Sequence, residues 1–137
     1  MVHLWSVCEL YQMQIDAGRY FLHEHPASAT SWPEACIQTI MAQDGVDVSI
    51  IDQCQYGQAT VDGQPIQKAT KWMSNSPRIL QMLQKRCSGR GGSCSRPRGG
   101  QHQHVSGRVC RKSQEYPFEL RKAILMGCCA SSLMMGD

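Results

Sequence analysis

Apolar positions along this chain fall into short runs whose spacing changes from segment to segment. Leu4, Val7, Cys8, Tyr11 and Ile15 recur at the three, four and seven spacing of an amphipathic helix. That spacing predicts a helix over Leu4 to Ala17, closed by Gly18, whose permissive backbone suits a helix end. The run Arg19 to Glu24 lies between Gly18 and Pro26 and reads as a buried strand. Ser31 and Glu34 have the spacing of a capping box, with Pro33 in the first helical turn. The helix they predict carries Cys36, Ile37, Ile40 and Met41 on one side and stops at Gly45. A second apolar strand, Val46 to Ile51, follows at once.

Strand, helix and strand with short joints make a βαβ unit, so a parallel, right-handed pair is expected. Beyond Ile51 the chain turns through Asp52-Gln-Cys-Gln-Tyr-Gly57, and a polar stretch continues to Gln67. Lys68 to Ser74 reads as a third strand. Asn75 or Ser76 then caps a helix with Pro77 at its first position and Ile79, Leu80 and Leu83 as its buried face. Pro117 starts a last helix on Phe118, Leu120, Ile124 and Leu125, and the unpatterned tail from Gly127 is expected to fray. The organisation expected is an α/β core over 1–86, a basic flexible loop over 87–112, and a C-terminal helix and tail over 113–137.

Charge sharpens this division. The net charge is +3, yet eight basic residues and no acid fall between Lys85 and Lys112, and the remainder of the chain is net −5. An acidic body with one basic insertion points to an anionic partner such as nucleic acid. The residues that would serve it are Lys85, Arg86, Arg90, Arg96, Arg98, Arg108, Arg111 and Lys112. Rich in Gly, Ser, Arg and Pro, this segment has too few apolar groups to order itself by burial, hence the flexible reading. No apolar run approaches the ~18 residues of a membrane span, and no leader is apparent at the amino end. Eight scattered cysteines without a secretory context read as reduced thiols, which places the protein in the cytoplasm or nucleus.

Chemistry is sparse in the pattern. Glu24 closes the first strand, where open α/β sheets place their sites, and a carboxylate there can accept hydrogen bonds from a nucleobase. His23 and His25 alternate with it and so project from the opposite face. Asp52 ends the adjacent strand and is their expected neighbour. Cys87, Cys94, His102, His104 and Cys110 have zinc-ligand chemistry, but their gaps match no common module, in which ligands pair two to four residues apart. No metal is therefore expected. Cys8, Cys36 and Cys54 fall on or beside apolar faces and read as core thiols.

Several of these segments together resemble a known cassette. They are Ala17-Gly-Arg-Tyr-Phe-Leu-His-Glu-His-Pro-Ala27, Ser31-Trp32, Asp52-Gln-Cys-Gln-Tyr-Gly57, Lys68-Ala-Thr-Lys-Trp-Met-Ser-Asn-Ser-Pro77 and Tyr116-Pro117. Over roughly Leu4 to Leu125 the chain resembles the cytosine-5 DNA methyltransferase-like cassette of Copia-type retroelement polyproteins, in its carboxyl-terminal half. The resemblance implies an incomplete Rossmann-like half, with a small, mostly parallel sheet flanked by helices. It implies that Glu24 would hold the target base once the missing half is supplied. The cofactor segment and Pro-Cys nucleophile of such enzymes would lie upstream, so a non-catalytic fragment is expected. S-adenosylmethionine would belong only to a complete domain. Three functions follow as alternatives: that fragment, with the missing half as partner; a nucleic-acid module acting through Lys85–Lys112; or a small zinc-binding interaction domain.

Overall fold

The computed structural model describes residues 2–104 and 115–135. Helix α1 (Val2–Asp16) leads through a glycine turn to strand β1 (Leu22–Pro26). Helix α2 (Ala35–Met41) carries the chain to strand β2 (Asp47–Asp52), which runs straight into a 3-10 turn (Gln53–Tyr56). Strand β3 (Ala69–Ser74) precedes helix α3 (Pro77–Gln81), and helix α4 (Phe118–Met135) closes the described chain. Ser76 caps α3 as its spacing predicts, its hydroxyl accepting the Ile79 amide at 3.3 Å with Pro77 behind it. The Ser31–Glu34 capping box does not form: Glu34 itself precedes α2 and makes no side-chain cap bond, and the Ser31 hydroxyl is buried without a partner among the described residues. Helix α4 continues past Gly127, where the apolar pattern ends.

The sheet corrects the expected fold class. Its order is β1-β3-β2, and β3 is antiparallel to both neighbours, so the sheet is not the mostly parallel, Rossmann-like one. Strands β1 and β2 do run in the same direction, as a crossover through α2 requires, but they are not paired. The reason lies in the polar stretch before β3. A parallel third strand needs a crossover back to the starting end, usually a helix. Here residues 53–68 form the 3-10 turn and a small hairpin bridged at Ala59 and Pro65, so the chain comes back where it left. Ala69 therefore pairs with Asp52, and β3 slots between the two earlier strands.

Register decides which side chains share a face. His23, Met73 and Val48 form one row, and Glu24, Trp72 and Ser49 the next, on the other side of the sheet. The first face packs against α1 and α2 through Cys8, Phe21, Trp32, Cys36, Ile37, Ile40 and Met73. The second packs against α3 and α4 through Ile51, Tyr56, Trp72, Ile79, Leu80, Leu83, Leu120 and Ala123. Helices α3 and α4 approach closely at Gly127, where a Cβ would lie 2.7 Å from the Ile79 Cα. Among the described residues no helix is long and apolar enough to cross a membrane.

Candidate metal centre

The turn after β2 organises the chemistry. Buried Gln53 donates to Thr70 Oγ1 at 3.0 Å, and Gln58 donates to Gln53 Oε1 at 2.9 Å, tying the turn to β3. The Tyr56 hydroxyl donates to the Met82 carbonyl and accepts the Gln84 and Lys85 amides, which fastens the chain just beyond α3. Burial raises the Tyr56 phenol above its ordinary value, although those two amides oppose it. Asp52, fully buried, reaches across to the same place. Its Oδ2 accepts from Arg86 Nε at 2.8 Å and from the Cys87 amide at 2.7 Å, and its Oδ1 accepts from Gln67 Nε2 at 3.2 Å. Cys54 and Cys87 are thereby brought together from positions 54 and 87 of the chain.

The basic segment completes the set. Cys54, Cys87, Cys94 and His102 place three sulfurs and one ring nitrogen all within 4.8 Å of one another. Cys87 Sγ lies 3.6 Å from His102 Nε2. A tetrahedral zinc with bonds of about 2.3 Å to sulfur holds its sulfurs about 3.8 Å apart, so the four donors need close by only about 1 Å. Around them stands a shell of donors. Gln55 Nε2 points to Cys54 Sγ at 3.4 Å and Cys94 Sγ at 3.7 Å. The Ser95 amide and hydroxyl point to Cys87 Sγ at 3.5 and 3.4 Å, and the Arg96 amide points to Cys94 Sγ at 3.5 Å. Donors aimed at sulfur orient thiolate ligands and stabilise their charge.

Glycine makes this fit possible. At Gly89 a Cβ would fall 1.9 Å from the Ser93 carbonyl oxygen, so only glycine admits the turn. Gly100 has φ +103, and a Cβ there would meet Pro65 at 2.8 Å. The Cys94 amide donates to the Gly100 carbonyl at 2.8 Å and the His102 amide to Gly92 at 2.7 Å, while the Gln103 amide docks on Pro65 at 2.9 Å. Residues 87–104, read above as part of a flexible loop, are thus held by a hydrogen-bonded turn against the body.

The thiols differ sharply. Burial pushes Cys54 up to about 12, with the Gln55 bond opposing it only in part. Burial also works to raise Cys87, but hydrogen bonds from the Ser95 hydroxyl and amide, the Gly89 amide and Cys54 bring it down to about 6. A thiol brought low at Cys87 beside one raised at Cys54 is a starting point for a cation, whose charge would favour the thiolate form of its ligands.

Other expected sites are dispersed. Glu24 is half-buried beside Tyr116, whose phenol is raised by burial and further by that carboxylate. Trp72 Nε1 and Ser49 Oγ lie buried in the same row without partners among the described residues. Asp52 does not join Glu24. It pairs with Ala69, whereas Glu24 opposes Trp72, and its oxygens are taken by Arg86, Cys87 and Gln67. Among the basic residues, Arg86 is bound to Asp52, Arg96 donates to the Gly99 and Gly63 carbonyls, and Lys85 lies 5.3 Å from the Tyr56 ring centre. Arg90 and Arg98 are exposed on the turn. His104 is exposed outside the four-donor cluster. Arg108, Cys110, Arg111 and Lys112 lie outside the described residues. Cys54 is the member of the four-donor cluster that local spacing misses, since the other three begin 33 positions later.

His23 and His25 face α1 and α2, on the opposite side from Glu24. His23 is buried, with Nδ1 at 2.6 Å from the Tyr11 hydroxyl and Nε2 without a partner among the described residues. Its ring also meets Trp32 and His25, and Lys71 covers the far Trp32 ring at 4.7 Å. Burial, then His25, lowers the His23 pKa from 6.5 to about 4. Between those values the unfolded chain binds a proton that the folded chain refuses, so stability is full above pH 6.5 and falls towards pH 4. Between pH 7 and pH 5 the loss should be on the order of 2 kcal/mol. Denaturant titrations at pH 7 and pH 5 on wild type and His23→Phe check this, the variant showing the shallower pH slope. Equal slopes would mean that His23 takes no part in the acid sensitivity.

No family model, curated protein sequence or solved structure matches the chain.

Proposed function

We propose that this chain is a small zinc-stabilised interaction domain, in which Cys54, Cys87, Cys94 and His102 fasten a basic segment to the α/β body. The carrying observation is the convergence of those four donors within 4.8 Å. Three thiolates and an imidazole suit a borderline-soft tetrahedral cation, and zinc is the common choice for that set. Four protein ligands fill the coordination sphere and leave no position for water or substrate, which makes the role structural rather than catalytic. The centre holds the exposed Arg90 and Arg98 outward on a fixed turn, beside a body that is net negative elsewhere. Nucleic acid backbone is the partner class that this charge division favours, through contacts that position without reading sequence. The methyltransferase-fragment alternative gains no support from the sheet, because β3 is antiparallel where that reading called for parallel strands.

The test is metal content. Protein purified without added metal should carry one zinc per chain by native mass spectrometry, and a strong chelator should lower its melting temperature. Metal-free protein whose melting ignores both chelator and added zinc would refute the reading.

A further inference from the structure

Helices α1 and α2 border an open cleft of about 320 Å³. Trp5, Cys8 and Gln12 line it from α1, and Cys36, Thr39 and Ile40 line it from α2. Spacings of three and four residues put each trio on one face of its helix, so the cleft runs between two facing stripes. Cys8 and Cys36 stand 28 positions apart in the chain, yet their thiols share a hydrogen bond. One turn beyond Cys8, Gln12 and Gln43 exchange amide hydrogen bonds at 3.2 and 2.5 Å, which holds the end of α2 against α1. The two cysteines are 5% and 7% exposed and belong to one apolar cluster, with Phe21, Trp32, Ile37, Ile40 and Met73. None of the cleft residues belongs to the metal centre.

We infer that Cys8 and Cys36 are a modification site, where a small hydroperoxide makes a reversible disulfide that staples α1 to α2. Hydrogen peroxide is small and neutral, which suits thiols that only a cleft connects to water. The steps balance within the pair and the oxidant. The Cys36 thiolate attacks one peroxide oxygen, the O–O bond breaks, and the departing hydroxide takes up the Cys36 proton as water. Cys36 is then a sulfenic acid. The Cys8 sulfur attacks the Cys36 sulfur, an S–S bond forms as the S–O bond breaks, and the oxygen leaves with the Cys8 proton as a second water. Two thiols give up two electrons, and one peroxide becomes two waters. Burial, then the bond to Cys36, pushes the Cys8 thiol up to about 12, so Cys8 holds its proton at neutral pH and serves as the second, resolving thiol. Closing a loop of this length restricts the unfolded chain, so the oxidised protein gains stability.

The experiment treats reduced wild type, Cys8→Ser and Cys36→Ser with hydrogen peroxide. Each sample is melted, and a second portion is unfolded in iodoacetamide, digested and mapped by mass spectrometry. Wild type should yield a peptide pair joined through Cys8 and Cys36, two hydrogens lighter than the reduced pair. Its melting temperature should rise by about 5–10 °C, and dithiothreitol should reverse both changes. Neither variant should show the rise. The linked peptide is read in wild type alone, so a variant that folds poorly does not decide the outcome. Recovery of Cys8 and Cys36 as alkylated thiols overturns the inference. So does a bond from either one to a different cysteine, or an equal rise in melting temperature in Cys8→Ser.

Discussion

Replacing Cys54 by serine should empty the metal centre and cost the protein about 4 kcal/mol of stability, the linkage expected when zinc is held at a thousandfold excess over its dissociation constant. Cys54 is 1% exposed and sits on the turn that leaves β2, so its sulfur is the donor that belongs to the body rather than to the basic segment. With it gone, Cys87, Cys94 and His102 remain only within their own loop, and the segment loses its covalent-like tie to the sheet. Serine is nearly the same size, so cavity formation contributes little. Cys8→Ser is the matched control: Cys8 is also a buried thiol, but its neighbour is Cys36 on the far side of the sheet. Metal content by mass spectrometry and denaturant titration at fixed zinc read the result. One zinc per chain in Cys54→Ser, with stability unchanged, would remove Cys54 from the centre.

Asp52→Ala should lose about 3 kcal/mol of stability and weaken zinc binding 10- to 100-fold, as removal of a partner behind a metal ligand does. The stability loss does not come mainly from the ion pair. The Arg86 side chain is 54% exposed, and a pair so open to water is worth little. It comes from the Cys87 amide and the Gln67 side chain, which lose a fully buried acceptor. Zinc affinity responds because that amide sets the backbone from which the Cys87 sulfur projects. Asp52→Asn keeps the size and one acceptor oxygen and should recover part of both losses, whereas Arg86→Ala should cost much less. Competition against a zinc indicator separates the roles: a destabilised Asp52→Ala with wild-type zinc affinity would mean that Asp52 serves the sheet alone.

Much of the architecture is legible in the residues. The stripe Cys36, Ile37 and Ile40 and the stripe Ile79, Leu80 and Leu83 are buried on opposite sides of the sheet, and Ser76 with Pro77 starts α3. Strand direction is another matter. An apolar run of six residues says that Ala69–Ser74 is buried, but not which neighbours it pairs with or in which sense. The short joints around α2 do carry β1 and β2 in one direction, and nothing local announces that a later strand will divide them. The four-donor cluster was hidden for a related reason. Zinc modules are recognised by ligands a few residues apart, and here the pairing partner of Cys87 is reached through the fold. Gly89 and Gly100 compounded this: composition alone treats them as markers of looseness, while the turn needs them because a Cβ has no room. Glu24 and the histidines on the reverse face sit on the sheet sides that alternation predicts, but Glu24 lies in the middle of β1 and not at its end, because the ladder continues through His25 and Pro26.

The divided crossover has a consequence for how the protein is made. Once residues 1–52 have left the ribosome, β1, α2 and β2 exist, yet neither strand has a partner. In the finished sheet they lie about two strand spacings apart, roughly 9.6 Å, so neither gains its ladder until β3 is made. At synthesis rates of about 5–20 residues per second, β3 arrives a second or more after β2. Until then the backbone edges that β3 will pair with lack their ladder bonds, and insertion of β3 closes the sheet between its two cores.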